Sequence, residues 1–560
     1  MLGLRSLSGS STDCLELMLE GRDIRSPAWF IGVVNDLGAV EARTSDGVLP
    51  VGLHRGPELV FAIVSPIGSP NDEFRAELEG GLHTYGYTVE WVKLSKLLAD
   101  QAQAGGIMVP ETPEDLRVSG LMDEGDRLCE ESQSSAAVAL HGVNEIRRHR
   151  LDYHTGNGAV AASLDGKAVP RRAWVIDSLK RPAEVKQLRR IYGDHLIVVG
   201  IQASILIRKD HLTELIRPHA ASKNDVEVEE IVNRLVNRDL DETGKGKNGQ
   251  SILKTFPMAD VFVDVDEDVG HQLGRLLDLL FGNPKYPVPT DDEYGMHLAF
   301  VGSTRSPELG LKVGAAIMRG STVVSLGANA HPTTDTSSPA FDRSALDIRQ
   351  LVLDTLRNLA GDVLTEEAAG RLRSDPDDYV NELLAGPLSS GRIKHLTEFQ
   401  PTVHAEMAAI LDAVENGKSV KDATLYVTAY PCHGCAKHLL RLHLPVKYIE
   451  PYPKGRAQAM YGQDVADTFQ PFSGIAPLRY HQLFTTTEDR KSPDGVRKPW
   501  TDADKKAAEP NVEPLLDQTG IAVREAFATS RIPAGPTPVQ NEADQRAAVS
   551  PVDDDDKIRK

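Results

Sequence analysis

Residues 424–440, TLYVTAYPCHGCAKHLL, begin as an apolar run and change to a helical pattern after a proline. This change predicts a strand that leads directly into a helix. Cys432 then stands at the turn between them, and Cys435 falls in the first turn of the helix. Upstream, PTVHAEMAAILDAV (401–414) predicts a second helix that begins at about His404. Two helix N-termini that face each other would bring one imidazole and two thiolates to a single point, and the helix ends would stabilise the thiolates.

We predict that His404, Cys432 and Cys435 bind Zn²⁺. Three nitrogen and sulfur ligands leave the fourth tetrahedral position for water, which is typical of a catalytic site. Bound zinc lowers the pKa of water from near 16 to roughly 7. Glu406 is the predicted catalytic residue, which takes the proton from water and passes it to a ring nitrogen and to the leaving ammonia.

The pattern points to one kind of site only because its two parts occur together. C-x-x-C alone is also found in redox motifs and in structural zinc sites. H-x-E followed by P-C-x-x-C is the signature of zinc-dependent nucleobase deaminases. The sequence therefore predicts a hydrolase that deaminates an amine-bearing ring, most simply a cytosine nucleotide.

Composition limits the classes of partner. The chain has 560 residues, a net charge of -19 and only 5% aromatic residues, so long polynucleotides are disfavoured as its main partner. Its length suggests two or three domains. No secretory signature and no long apolar run is visible, so we expect a cytoplasmic protein with no membrane contact.

The N-terminal half has the pattern of an α/β domain. Five apolar runs separated by helical stretches predict a doubly wound parallel sheet. The runs are ELVFAIVS (58–65), TVEWVKL (88–94), RRAWVID (171–177), HLIVVGIQA (195–203) and MADVFVDV (258–265).

A Pro-rich segment after the last run marks the predicted domain boundary. The predicted parts are an N-terminal extension (1–55), the α/β domain (56–288), a second domain (289–500) with an insertion at about 333–400, and a C-terminal helix with a disordered tail (501–560). The final DDDDK resembles a protease recognition site, so no fold is predicted from it.

Four segments together resemble the deoxycytidylate deaminase family. They are EYGMHLAFVGSTRS, KVGAAIMRGSTVVSLGAN (312–329), TVHAE and YPCHGCAKHLL. The resemblance implies a cytidine-deaminase-like α/β/α domain in which 312–329 holds the family's first helix and strand. It also implies that Asn329 contacts the nucleotide sugar. From the residues alone, Asn329 is equally well explained as a turn residue.

An α/β domain joined through VIDSLKRPAEVKQLRRIYG (175–193) to such a deaminase resembles the bacterial anti-phage dCTP/dCMP deaminases, which carry an N-terminal P-loop kinase-like domain. The resemblance implies conversion of dCTP and/or dCMP to dUTP or dUMP and ammonia, which depletes dCTP during infection. It further implies a homo-oligomer that is held inactive, with a regulatory nucleotide or RNA at the N-terminal domain.

The loop VSPIGSPNDEF (64–74) departs from that family pattern because it has no G-K-[ST], which argues against kinase or NTPase activity. The amides of Gly68 and Ser69 could still hold a phosphate at a helix N-terminus. Asp177 could act as a Walker-B-like carboxylate. A plain turn and a strand-end cap explain the same residues.

Three points stay open at this stage. The sequence does not separate dCMP from dCTP, and Arg305, Lys312 and Lys394 are candidates for binding additional phosphates. The chain could instead deaminate cytosine or adenine in tRNA or single-stranded DNA, which would need a basic channel with aromatic platforms. It could also be a sensor of a phage product or RNA whose output is the deaminase.

Overall fold

The computed structural model describes most of the chain after residue 55. The described residues are 56–156, 167–220, 222–240, 242, 248–285, 288–332, 343–359, 363–388, 393, 401–450, 456–485, 490–512, 518–530 and 532. The predicted extension 1–55, Lys394 and the DDDDK tail lie outside them. The chain divides into two compact units, Met1–Leu53 and His54–Lys560, and every described residue belongs to the second. None of the helices in the described ranges is long and apolar enough to cross a membrane.

A parallel sheet forms the first module, as the apolar runs predict. Its strands are β1 (Leu59–Val64), β2 (Thr88–Lys93), β3 (Arg172–Asp177), β4 (Leu196–Gln202) and β5 (Val261–Asp264). They lie in the order β2-β3-β1-β4-β5. The chain first adds strands on one side of β1 and then on the other, so the direction switches beside β1. Strands β1, β4 and β5 are buried along their whole length, as expected where helices cover both faces.

Among the described residues, nine α-helices accompany this sheet. They are α1 (Asp72–Thr84), α2 (Leu94–Ala104), α3 (Glu114–Glu131), α4 (Ala137–Gly156), α5 (Pro182–Tyr192), α6 (Ile205–Ile216), α7 (Asp225–Leu240), α8 (Ile252–Thr255) and α9 (Val269–Leu280). Helices α1 and α9 pack together on one face, where Phe74, Leu78 and Leu273 share a core with strand residues. Helices α4, α5 and α7 contribute to the core of the other face.

The second module contains a five-stranded mixed sheet. Its strands are β6 (Gly314–Arg319), β7 (Thr322–Ala328), β8 (Thr424–Val427), β9 (Val446–Tyr448) and β10 (Phe469–Pro471). Their order is β10-β9-β8-β6-β7, with β6 antiparallel to both of its neighbours and β8, β9 and β10 parallel.

The expectation of a helix followed by a strand in 312–329 is wrong. The segment forms the β6–β7 hairpin, which turns at Gly320 with a φ of +56°. The run GAAIM is buried on successive residues, so it packs against both faces of the sheet. Burial on both faces outweighs the helix preference of alanine and methionine.

The other α-helices and one short strand of the described residues come after residue 290. They are α10 (Asp291–Ser303), α11 (Arg343–Leu359), α12 (Glu366–Ser374), α13 (Pro376–Ala385), α14 (Ala405–Glu415), α15 (His433–Arg441), α16 (Ala457–Tyr461), α17 (Gln463–Thr468), β11 (Gly474–Ile475), α18 (Tyr480–Phe484), α19 (Asp502–Ala507) and α20 (Gln518–Thr529).

Alternate residues of β6 show a three-layer arrangement. Ala316 and Met318 share a core with α10, whereas Ala315 and Ile317 share a core with α14 and α15. The second module is therefore an α/β/α layer structure, as the resemblance implies. Helices α11, α12 and α13 fall in the predicted insertion and have a small apolar cluster of their own.

The two modules are joined by more than the connecting chain. Strand β11 pairs antiparallel with β5 at the edge of the first sheet, and α20 packs on α4 and α5. Arg275 on α9 forms a 2.6 Å ion pair with Glu293 on α10, whose side chain is almost fully buried. The predicted domain limits remain predictions, and segments after residue 470 contribute to the first sheet and its helices.

Candidate active site

His404 is the N-cap residue of α14, and two features place it. Its neighbour Val403 forms a β-bridge with Ala330, just beyond the end of β7. Gly327 in β7 lets α14 approach closely, since a Cβ atom built there would lie 2.2 Å from the carbonyl oxygen of Ala405. The helix that carries the imidazole is thereby fixed against the sheet.

The cysteines follow strand β8. Thr428 exchanges hydrogen bonds with Gly314 at the start of β6, so the end of β8 is held in the sheet. The backbone N–H of Tyr430 donates to Glu450, a buried carboxylate, at 3.0 Å. Cys432 is then the N-cap residue of α15.

The three predicted metal ligands converge. His404 Nδ1 lies 3.3 Å from the sulfur of Cys432 and 3.5 Å from that of Cys435. All three ligand atoms lie within 4.8 Å of one another. Tetrahedral zinc with Zn–N of about 2.05 Å and Zn–S of about 2.3 Å requires N···S separations of about 3.6 Å. The donor set and its spacing therefore fit zinc with little movement.

The pKa values of the three ligands depend on one another. A hydrogen bond from Cys435, together with the His404 imidazole, lowers the pKa of Cys432 to about 4 although burial raises it. The pKa of Cys435 is raised, first by its contact with Cys432 and then by burial. The bond to Cys432 likewise raises the pKa of His404. One thiolate is thus favoured before a metal binds.

Glu406 lies one helical position beyond Ala405 and is 4% exposed. Burial raises the pKa of its carboxyl group, and His404 opposes that shift. Removal from water is the condition that lets a carboxylate exchange protons near neutral pH. The carboxyl group is hydrogen-bonded to Cys435, and its role as a proton carrier remains a prediction.

Asn329 follows β7 and is buried. Its side-chain amide donates to the Leu311 carbonyl at 2.9 Å and accepts from the Val313 N–H at 2.7 Å. The residue between them, Lys312, is exposed, and so is Arg305 at the end of α10. Asn329 therefore anchors the segment that carries Lys312, and contact of these three residues with a substrate remains a prediction.

The residues predicted to bind a nucleotide in the first module lie near one another. Gly68 has a φ of +82°, and its carbonyl pairs with His211 Nδ1 at 2.9 Å. The Ser69 hydroxyl donates to the carbonyl of Pro66 within the same loop. Asp177 pairs with Arg75 at 2.6 Å. Binding of a nucleotide by Gly68, Ser69 and Asp177 remains a prediction.

Sequence reasoning missed several residues that shape these sites. Arg75 reaches Asp177 across 102 positions of sequence, and no local motif signals that pairing. Glu450 follows β9 and has no motif of its own. Gly327 carries a signal in the G-x-N turn, but the close approach of α14 appears only in the structure.

Part of the chain matches a known protein family. Residues 289–449 match the family described as "Cytidine and deoxycytidylate deaminase zinc-binding region". The predicted zinc cofactor is confirmed by this match together with the convergence of His404, Cys432 and Cys435.

Curated relatives match a short part of the chain. The deoxycytidylate deaminases of Enterobacteria phages T2 and T4 are each 44% identical over 55 residues, which is 10% of this chain. The match spans 29% and 28% of those two proteins. The chain therefore spans less than a third of the length of these relatives.

Solved structures give weaker likenesses. A dCMP deaminase from the cyanophage S-TIM5 is 15% identical with a TM-score of 0.19, over 32% of this chain and 96% of that one. A gluconokinase from Sinorhizobium meliloti 1021 is 14% identical with a TM-score of 0.18, over 40% of this chain and 89% of that one. At these scores the likenesses support no statement about function.

Proposed function

We propose that the second module hydrolyses the exocyclic amine of a free deoxycytidine nucleotide, releasing ammonia and the uracil product. The observation that carries this proposal is the convergence of His404, Cys432 and Cys435 beside the buried carboxylate of Glu406. The match of 289–449 to the cytidine and deoxycytidylate deaminase family supports the same chemistry.

The roles of the side chains follow from their places. His404, Cys432 and Cys435 would hold zinc, which when bound supplies Lewis-acid activation of water. Glu406 accepts the proton of the attacking water and delivers it to the ring nitrogen and then to the departing amine. Its burial excludes bulk water from the carboxylate, so the proton is retained between these positions.

We further propose that the substrate is a mononucleotide, dCTP and/or dCMP, rather than a polynucleotide. The net charge of -19 opposes the binding of a long phosphate backbone. Lys312 is an exposed cation on the segment anchored by Asn329, and Arg305 is an exposed cation just after α10; both are the proposed contacts for phosphate. Depletion of dCTP during phage infection is the proposed role in a cytoplasmic, oligomeric protein.

A substrate panel tests this function. Purified zinc-loaded protein is incubated with dCTP, dCMP, deoxycytidine, CTP and a deoxycytidine oligonucleotide, and ammonia release is followed. We expect turnover of dCTP, dCMP or both, loss of turnover in His404→Ala, and retention in His438→Ala, which makes the same change at an exposed position of α15. Turnover of the oligonucleotide alone would contradict the proposal.

A further inference from the structure

The loop that follows β1 is closed by the protein's own carboxylate. Asp239 on α7 is fully buried and accepts hydrogen bonds from the Ile67 N–H and the Lys180 ammonium, each at 2.8 Å. The N–H of Ser69 is directed back to the carbonyl of Pro66. Two backbone donors that a phosphate-binding loop would offer are thus already engaged, which disfavours a triphosphate at this loop.

A cavity of about 270 Å³ adjoins this loop. It lies beyond the carboxyl ends of β1 and β3, next to the switch in chain direction, where open α/β sheets bind their ligands. One wall is apolar and is formed by Leu94, Leu98, Val118, Leu121 and Met122. Its volume is just below the roughly 300–1,000 Å³ of pockets for drug-sized ligands, so it suits one small molecule with an apolar ring.

Two arginines from different helices line the cavity. Arg75 on α1 and Arg117 on α3 keep 34% and 35% of their side chains exposed. Arg117 binds Glu114 through Nε and one Nη, whereas Arg75 binds Asp177 through one Nη and Asp72 through the other. A guanidinium has five donors, so each retains capacity to bind an anion such as a phosphate monoester.

Gln250 is one of several other polar residues in the lining, which also include Asn71, Lys180 and Glu184. It is 5% exposed, and its Oε1 has no hydrogen-bond partner among the described residues. The Nε of Arg75 is likewise buried and has no hydrogen-bond partner among the described residues. A buried polar atom without a partner costs about 1–3 kcal/mol, so a ligand with an N–H donor and an anionic group would relieve both costs.

We propose that this cavity binds a nucleoside 5′-monophosphate. The nucleobase would lie on the apolar wall and donate an N–H to Gln250, and the phosphate would pair with Arg75 and Arg117. Inorganic phosphate lacks the ring, and a triphosphate exceeds the space beside the closed loop. This site is separate from the zinc centre and does not depend on the proposed deaminase activity.

Calorimetry on the full chain tests the proposal, with zinc bound and with zinc removed. The probes are thymidine and adenosine 5′-monophosphates, inorganic phosphate and ATP. We expect one monophosphate site per chain that persists without zinc. Gln250→Leu, which removes the acceptor, and Val118→Phe, which fills the apolar wall, should each weaken binding about tenfold or more. Gln103→Leu makes the same glutamine-to-leucine change at an exposed position of α2 and should leave the affinity for the monophosphate unaltered.

Each alternative outcome overturns the proposal. Absence of binding by either monophosphate would do so, as would equal affinity for inorganic phosphate or tighter binding of ATP. Binding that is lost on removal of zinc would place the ligand at the other site. Full affinity in both cavity variants, with thermal stability unchanged, would show that the monophosphate binds elsewhere on the chain.

Discussion

Gly327→Ala tests how the zinc ligands are positioned. A Cβ atom at residue 327 would stand 2.2 Å from the carbonyl oxygen of Ala405 and 2.4 Å from the N–H nitrogen of Ala409. Both obstacles are backbone atoms of α14, so no side-chain rotation can relieve them. The methyl group therefore pushes away the helix that begins at His404 and carries Glu406.

The size of the effect follows from these distances. A Cβ contact below 3.0 Å is essentially never seen, so α14 must retreat by roughly 0.8 Å. Overpacking of this kind lowers the free energy of unfolding by about 1–3 kcal/mol. A loss of about 2 kcal/mol would lower Tm by roughly 4–8 °C. A displacement near 1 Å can cost about a hundredfold in kcat.

Zinc content, Tm and kcat are measured on purified protein, with Gly370→Ala as the control. Gly370 lies inside α12, and a Cβ there meets no atom within 4 Å, so that variant should keep kcat and match or exceed the wild-type Tm. A Gly327→Ala protein with unchanged Tm and kcat would refute the reasoning, because α14 would then accommodate the methyl group without moving.

Three more substitutions have defined outcomes. Glu406→Gln should retain zinc and lower kcat by about 10²–10⁴-fold, and loss of zinc in that variant would contradict the proton-carrier role. Asn329→Ala removes the bond to the Leu311 carbonyl, so we expect faster proteolysis near residue 311 and a higher KM, and unchanged proteolysis would contradict the anchoring role. Arg275→Met leaves the buried Glu293 carboxylate without its ion pair and should lower the free energy of unfolding in urea by about 3–5 kcal/mol, whereas the double variant with Glu293→Gln should recover much of it. A single variant as stable as wild type would show that this pair does not stabilise the junction.

The first sheet could be predicted because of how parallel strands are buried. Strands such as β1 and β4 are covered on both faces, so their sequences are continuous apolar runs. The β6–β7 hairpin could not be predicted in the same way. Its alanines and methionine favour a helix locally, and only packing between α10 and α14 makes them a strand.

The zinc ligands could be predicted because their spacing is local. Cys432 and Cys435 lie within one turn of one helix, and His404 begins another. The contacts of the first module could not be predicted in this way, because Asp177 and Arg75 lie 102 positions apart in the sequence. Pairings of that kind depend on strand order, which no motif encodes.

A zinc titration of metal-free protein tests the central claim most directly. Bound zinc and ammonia release from the substrate that is turned over are measured in the same samples. We predict that turnover rises in proportion to zinc and reaches its maximum at one zinc per chain, held by His404, Cys432 and Cys435. Full turnover without metal, or saturation with zinc without any deamination, would contradict the account.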